Sequence, residues 1–360
     1  MMIDEIELTN YRSYTYCRVT FDSKMNVILG ENGSGKTNLV EAIHYLSLGR
    51  SFRTSDDARL IKNNEKEARI KATVSGVGLK KTLEIILTPQ GKKVLLNFKP
   101  IQRLSELSSV VNVLVFEPRD VLMFDDAPRV RRQFLDITLS KLHPHYLTHI
   151  TLYEKILKER NELLKQPTVD RQHLAVLTEQ LVEASFPLME ARSSYLTQIN
   201  RVLSKVVGLI KGEKFNVALQ YVPYVSLQGD YPRQARLLYE KAIEQDIKRK
   251  TTTLGIHRED FVVVYDDQAI ASFGSQGENR VVALGLKLSP YFLIEEKEKK
   301  PIIVLDDVLS ELDDQTQHRL LLFLEKLEQV FLTTTHYPNN QHTQFDIQNH
   351  IITRRPHHGR

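Results

Sequence analysis

Gly30-Glu31-Asn32-Gly33-Ser34-Gly35-Lys36-Thr37 fills the pattern G-x-x-x-x-G-K-[ST] at every fixed position. Its glycines let the backbone approach an anion closely, so successive N–H groups at a helix start can face the β-phosphate of a nucleoside triphosphate. Asn26-Val27-Ile28-Leu29 before it reads as a buried strand, and Asn38 to Leu46 after it has helical apolar spacing. Strand, loop and helix are the context such a turn requires. In that context Lys36 bridges β- and γ-phosphates, and Thr37 places its hydroxyl on Mg²⁺.

The surrounding chain of 360 residues is large enough for a substantial core and more than one lobe. Hydrophobic residues at 41% and charged residues at 26% are ordinary for a globular protein, and a net charge of +4 permits a nucleic-acid partner without demanding one. The single cysteine, Cys17, excludes an intramolecular disulfide and a cysteine-rich zinc site. No run approaches the roughly 20 apolar residues of a membrane span, and Asp4, Glu5 and Glu7 stand where a signal peptide has positive charge. The expectation is a cytoplasmic protein with no membrane partner.

Ile3 to Leu8, Ala72 to Val74 and Leu83 to Leu87 have strand patterns around the phosphate loop. From about Arg129 apolar residues recur at helical spacing as far as Leu164, with Pro167 expected to end the helix. A second helical stretch is expected from about Arg171 to Ile210, with a break or kink near Pro187, and a third from Pro232 to Lys250. Phe215 to Val225 and Phe261 to Tyr265 are β-prone. The fold class is therefore α/β, a phosphate-loop lobe interrupted by a mainly helical insertion. The expected limits are 1–125 for the first half of the lobe, 126–250 for the insertion and 251–360 for the second half. The polar end, Thr353 to Arg360, reads as a frayed tail, and its His357 and His358 are not expected to form a closed metal site.

A second cluster lies far down the chain. Ile302-Ile303-Val304-Leu305-Asp306-Asp307 is an apolar strand ending in two carboxylates; beside the loop, Asp306 would hold Mg²⁺ and Asp307 would orient or deprotonate the attacking water. Phe331 to His336 is another strand, ending in a histidine, and Gly274-Ser275-Gln276-Gly277-Glu278 leads into helical spacing from Arg280 to Leu288. Phosphate loop, Ser-x-Gly turn, acidic strand, Ser310-Glu311-Leu312-Asp313 and histidine strand occur in the order used by ATPases of the ABC class. That resemblance implies ATP held between two subunits packed head to tail, the signature serine of each meeting the γ-phosphate on the other.

Further stretches carry a narrower likeness: Asn10-Tyr11-Arg12-Ser13-Tyr14, Gly49 to Thr54, Val115 to Asp120, Arg131 to Asp136, and Thr253 to Asp260. With the cluster above, these are similar to the RecF family of bacterial recombination-repair proteins, relatives of SMC ATPase heads, over nearly the whole chain. The resemblance implies that Gly30 to Thr37 bind ATP, that Arg12 lies near its phosphates, and that Ser275 with Gly277 forms the trans signature. It also implies that Asp313 lies in the interfacial D-loop and that His336 senses the γ-phosphate. The catalytic set is then Lys36, Asp306, Asp307, His336 and Ser275, with Thr37 and Asp306 on Mg²⁺. The same resemblance implies an ATP-dependent homodimer, weak DNA-stimulated ATPase activity, binding of double-stranded and gapped DNA, and work with RecR and RecO to load RecA.

The chain departs from the family's usual pattern at Glu278, where glutamine is usual, and at Ile256, where proline is. A carboxylate at 278 is expected to weaken closure on a triphosphate, since like charges repel strongly in a dry site. Glu117 or Asp120 stands where a Q-loop glutamine would be. Candidate DNA-phosphate contacts are Arg50, Arg53, Lys62, Lys66, Lys71, the Arg129, Arg131 and Arg132 cluster, and Lys248-Arg249-Lys250. Three alternatives are a transporter ATPase subunit, an SMC-like structural head and a scaffold that binds ATP without hydrolysis. The 239-residue gap from Lys36 to Ser275 opposes the first, and the short helical arm opposes the second.

Overall fold

The computed structural model describes residues 1–76, 78–124, 128–266, 268–270, 274–337 and 341–355. Phe273, at the head of the signature-like stretch, and 356–360 with His357 and His358 lie outside the described residues; Thr353 and Arg354, expected in a frayed tail, instead belong to the strand Ile351–Arg354, paired with Thr343–Gln348. Two compact units form, both discontinuous in sequence. The first comprises Met1–Asp120, Lys205–Lys214 and Arg280–Arg360; the second comprises Val121–Ser204 and Phe215–Asn279.

The first unit contains two six-stranded sheets. One is antiparallel, in the spatial order Tyr14–Thr20, Met2–Tyr11, Ala68–Gly76, Leu79–Thr88, Gly91–Leu96, Lys99–Pro100. Its strands alternate buried with exposed or half-buried residues, as a sheet with one covered face should. The other runs Ile351–Arg354, Thr343–Gln348, Met25–Leu29, Val330–Thr334, Ile302–Asp306, Val113–Phe116, and all its pairings are parallel except the first. Three of its strands, Met25–Leu29, Ile302–Asp306 and Val330–Thr334, are buried at every residue, which is why they read as unbroken apolar runs.

The helix Lys36–Leu48 packs with both sheets. One apolar core joins its Leu39 and Ile43 to Ile6, Ile70 and Ile85 of the antiparallel sheet and to Ile28, Val304 and Phe331 of the parallel one. Burial of this kind contributes about 25 cal/mol for each Å² of apolar surface removed from water, so the strand before the phosphate loop and the helix after it are held from both sides.

The second unit combines helices with a three-stranded antiparallel sheet, Gln268–Ala269, Asp260–Tyr265, Val217–Val222. The stretch expected as one helix from Arg129 to Leu164 is two, Pro128–Leu142 and Pro144–Leu164. The break falls at His143, held extended at φ −130° and ψ 101° as a residue before proline tends to be. Arg171–Lys211 continues through Pro187 as one helix, and Tyr231–Arg249 follows.

Buried ions hold the second unit together. Arg192 donates to Asp136 at 2.8 Å, to Glu259 at 3.0 Å and to the Ile256 carbonyl at 2.9 Å; Arg160 donates to Asp246 at 2.8 Å. Arg131 grips both oxygens of Asp260 at 2.8 Å, and Arg132 donates to the Glu259 carbonyl. Two of the arginines expected as phosphate contacts are thus engaged inside the unit, and two of the stretches that carry the family likeness brace one another. Among the candidate cations, Arg50, Arg53, Lys66, Arg129 and Lys248 to Lys250 are exposed.

Candidate nucleotide site

The loop 30–37 leaves the C-terminal end of the strand Met25–Leu29 and enters the helix Lys36–Leu48, whose N-cap is Gly35 at φ 115°. Lys36 is nearly enclosed. Its Nζ donates to the Gly30 carbonyl at 2.6 Å and to the Glu31 carbonyl at 3.0 Å, closing the loop on itself. Burial lowers its pKa, opposed by the negative charge of Asp307 and Asp306.

Thr37 follows directly, and its Oγ1 lies 3.2 Å from Oδ1 of Asp306, 269 residues later. The link exists because the strand Val330–Thr334 sits between the loop strand and Ile302–Asp306 in the parallel sheet, bringing the carboxylate to the same end. Thr333 Oγ1 donates to the same Asp306 oxygen at 2.6 Å and accepts from the Asp307 N–H at 2.9 Å. Burial pushes the Asp306 pKa up, while the Thr333 and Thr37 hydroxyls pull it down.

Asp307 sits at φ 50°, a conformation uncommon for any residue but glycine, and its Oδ1 is buried without a hydrogen-bond partner. A buried carboxylate oxygen left in that condition is costly. The donor set at this point, a hydroxyl, one carboxylate and an unsatisfied second carboxylate, fits a hard divalent cation such as Mg²⁺. Among the described residues no group of three or more histidines, cysteines or acids gathers as a metal site, so water and phosphate oxygens would complete the shell.

In front of the loop is a cleft of about 760 Å³, lined by residues 30–34, His336, Asp346, His350 and Arg355. His336 is exposed there, just beyond the buried end of its strand, with its backbone tied to Thr334 Oγ1.

Arg12 has its guanidinium committed. It forms a two-bond ion pair with Glu41 at 2.9 and 2.7 Å and a third bond to the Arg59 carbonyl at 3.0 Å. Glu41 lies fully buried on the loop helix and also accepts from Ser51 Oγ at 2.5 Å and, more weakly, from Arg53 at 3.4 Å. The stretch Gly49 to Thr54 is therefore pinned to the loop helix through one carboxylate. Sequence reasoning missed Glu41; a lone acid inside the apolar run Leu39-Val40-Glu41-Ala42-Ile43 was the available signal.

Ser275 belongs to the second unit, at the start of the helix Gln276–Leu293. Its N–H and Oγ both donate to Oε2 of Glu278 at 2.8 Å, and the Glu278 N–H returns to Ser275 Oγ at 3.2 Å. This is a reciprocal capping box, and it gives the unexpected glutamate a local structural role. Gly277 has open space where a Cβ would stand. Asp313 caps the helix Asp314–Leu324, accepting from the Thr316 N–H at 3.0 Å and Thr316 Oγ1 at 2.7 Å, and these bonds lower its pKa. Glu117 directly follows the strand Val113–Phe116 beside Ile302–Asp306; its pKa is pushed up to about 7, first by burial and then by Asp120.

A phosphate loop joined through a hydroxyl to a distant acidic strand, on a mixed sheet backed by an antiparallel one, defines a nucleotide-binding head of the ABC and SMC class. A profile of the RecF/RecN/SMC N terminal domain matches residues 2–354. The "DNA replication and repair protein RecF" of Oceanobacillus iheyensis is 38% identical over 93% of this chain and 94% of its own length, and that of Bacillus subtilis is 36% identical over 98% and 100%. The chain belongs to the RecF family of DNA replication and repair proteins. Among solved structures, the "recombination mediator protein RecF-ATP in RecFOR pathway" superposes with a TM-score of 0.89 at 29% identity, covering 98% of this chain and 97% of that one. An SMC head bound to the C-winged helix domain of ScpA shares the fold, with a TM-score of 0.57 at 15% identity. Among the described residues no helix is long and apolar enough to cross a membrane.

Proposed function

We propose that this protein is an ATP-switched DNA clamp of recombinational repair, and that the assembled loop is where the switch is thrown. The observation that carries this reading is the Thr37 to Asp306 contact, which joins a phosphate loop to an acidic strand 269 residues away. Support comes also from the ATP complex of the superposed recombination mediator.

On this reading the backbone of 30–37 receives the β-phosphate of ATP, and Lys36 exchanges its bonds to the Gly30 and Glu31 carbonyls for β- and γ-phosphate oxygens. Thr37 and Asp306 would hold Mg²⁺, which would supply positive charge beside the phosphoryl group being transferred. Asp307 accepts a hydrogen bond from the attacking water and so aims it. His336, in the lining of the same cleft, meets the γ-phosphate, and Arg12 supports the phosphate side. Ser275 and Gly277, with Asp313 nearby in the motif order, act on the nucleotide of a second copy; the open space over Gly277 suits the close approach of another chain.

ATP is then part of a homodimer interface, and slow, DNA-stimulated hydrolysis releases it. The dimer holds double-stranded or gapped DNA in the cytoplasm and acts with RecR and RecO to promote RecA loading. DNA is held through its phosphates, with little base readout.

The test is sedimentation of Asp307→Asn with a labelled gapped duplex, with and without ATP and Mg²⁺. An ATP-dependent dimer that carries DNA is the expected result. A monomer indifferent to ATP would refute the clamp.

A further inference from the structure

The phosphate loop is gripped from outside by two aromatic side chains that come from opposite ends of the chain. The strand Thr343–Gln348 runs parallel to the loop strand, with Asp346 opposite Leu29. The antiparallel return at Ile351 therefore turns just beyond the point where the loop begins. Asn349 and His350 make that turn, both at positive φ, 49° and 63°, the backbone that two-residue hairpins favour. At its tip His350 Nδ1 lies 2.9 Å from the Ser34 carbonyl. A carbonyl can only accept, so Nδ1 carries the proton.

Tyr14 arrives from the other side. Fully buried, it donates its hydroxyl to the Gly35 carbonyl at 3.0 Å, and that oxygen also receives the Leu39 N–H at 3.1 Å as the first bond of the helix. The two rings meet edge to face, with centroids 6.3 Å apart at 76°. A Cβ built on Gly35 would lie 2.9 Å from Tyr14 Oη and 3.3 Å from His350 Nδ1. Gly35, already at φ 115°, thus has no room for a side chain between them.

Across a trans peptide the C=O and N–H point to opposite sides. Fixing the carbonyls of Ser34 and Gly35 toward the Tyr14 and His350 pair therefore turns the N–H groups of Gly35 and Lys36 the other way, as the donors that a phosphate would take at the helix start. We infer that Tyr14 and His350 are positioning residues for triphosphate binding, holding two consecutive peptide planes of the loop in the anion-accepting orientation before nucleotide arrives. This rests on the proposal that the loop binds ATP. Burial raises the pKa of the Tyr14 phenol, so it remains a donor throughout the working range.

The test is equilibrium titration of the full chain with N-methylanthraniloyl-ATP and Mg²⁺. Wild type is compared with Tyr14→Phe, His350→Ala, His350→Gln, the Tyr14→Phe/His350→Ala double variant and a Lys36→Ala control. One neutral hydrogen bond is worth about a fivefold to tenfold change in affinity, so Tyr14→Phe and His350→Ala should each raise the Kd by that factor. His350→Gln, which can present an amide donor, should recover most of the loss. The double variant should fall short of the product of the single effects, because the rings support one another. The nucleotide-free melting temperature should stay within about 2 °C of wild type for the Phe and Gln variants, a result that a general structural role would not give.

If Lys36→Ala loses binding while Tyr14→Phe and His350→Ala remain within twofold of wild type, the positioning role is wrong and the nucleotide reading stands. If wild type and Lys36→Ala bind alike, or neither binds, both are overturned.

Discussion

If the proposed clamp is right, replacing Glu278 by glutamine should tighten its ATP-dependent dimer. Glu278 now accepts both the N–H and the Oγ–H of Ser275 at 2.8 Å, so the Ser275 proton is already engaged. A γ-phosphate oxygen that takes that hydroxyl would stand about 5 Å from the carboxylate, allowing a normal hydrogen-bond length on each side of Oγ. Two unit charges at that separation repel by about 0.8 kcal/mol at the dielectric of water and about 3 kcal/mol at an effective value of 20. Ser275 is exposed and Glu278 half-buried, so the lower part of that range applies, about 1 kcal/mol per site. Two sites per dimer give about 2 kcal/mol, or roughly a thirtyfold tighter association. Glutamine can keep the cap through its amide oxygen, so the helix start should survive. The assay is sedimentation equilibrium in ATP and Mg²⁺, with Asp307→Asn in both proteins to suppress turnover. A dimer constant within threefold of the glutamate protein, or a weaker one, would refute the repulsion argument.

Four other outcomes are expected. Gly255→Ala should cost about 3 kcal/mol in urea unfolding of the full chain. Its backbone sits at φ 123°, and a Cβ would come within 2.5 Å of Tyr239 Oη and 2.7 Å of Tyr153 Oη; an unchanged midpoint would show that the tyrosines can yield. Glu41→Ala should cost about 3 kcal/mol, since it leaves Arg12 and Arg53 facing a buried void, whereas a loss under 1 kcal/mol would mean that water replaces the carboxylate. Glu117 has a higher pKa folded than unfolded, so its native state binds more protons, and stability should fall as pH rises from 4.5 toward about 7. Glu117→Gln should flatten that part of a melting-temperature profile, and an unaltered slope would contradict the assignment. DNA affinity should fall steeply with salt, and removing the charge of Lys248, Arg249 and Lys250 together should reduce the logarithmic slope by about 0.9 for each DNA phosphate that those side chains neutralise. A slope unaffected by salt or by those changes would rule out phosphate neutralisation as the source of affinity.

The elements whose physics is local were legible in the sequence. Met25–Leu29, Ile302–Asp306 and Val330–Thr334 are buried on both faces and read as apolar runs, and the glycine spacing of 30–37 is itself the motif. What escaped depends on partners far away in sequence. Arg131 reads as a surface cation until Asp260, 129 residues on, is found gripping it. Glu278 is a nearer miss, three residues from Ser275: it reads only as a charge facing a ligand, and its bonds to Ser275 show that it also caps a helix. Asn349 and His350 lack the glycine that usually marks a tight hairpin, so the turn that carries His350 to the loop left no local sign. Pro144, by contrast, was visible, and only the length of the apolar periodicity around it argued for one helix rather than two.

The placing of Met25–Leu29 in its sheet also governs when the nucleotide site can come into being. Both of its neighbours, Val330–Thr334 and Thr343–Gln348, are made some 300 residues after it. At about 5–20 residues per second of synthesis, the strand waits roughly 15–60 s with both edges unpaired, while the antiparallel sheet completed by Pro100 can already form. A ribosome-bound or prematurely terminated chain therefore cannot assemble the loop's setting, and the newborn protein is kept from engaging nucleotide until its last strands have emerged.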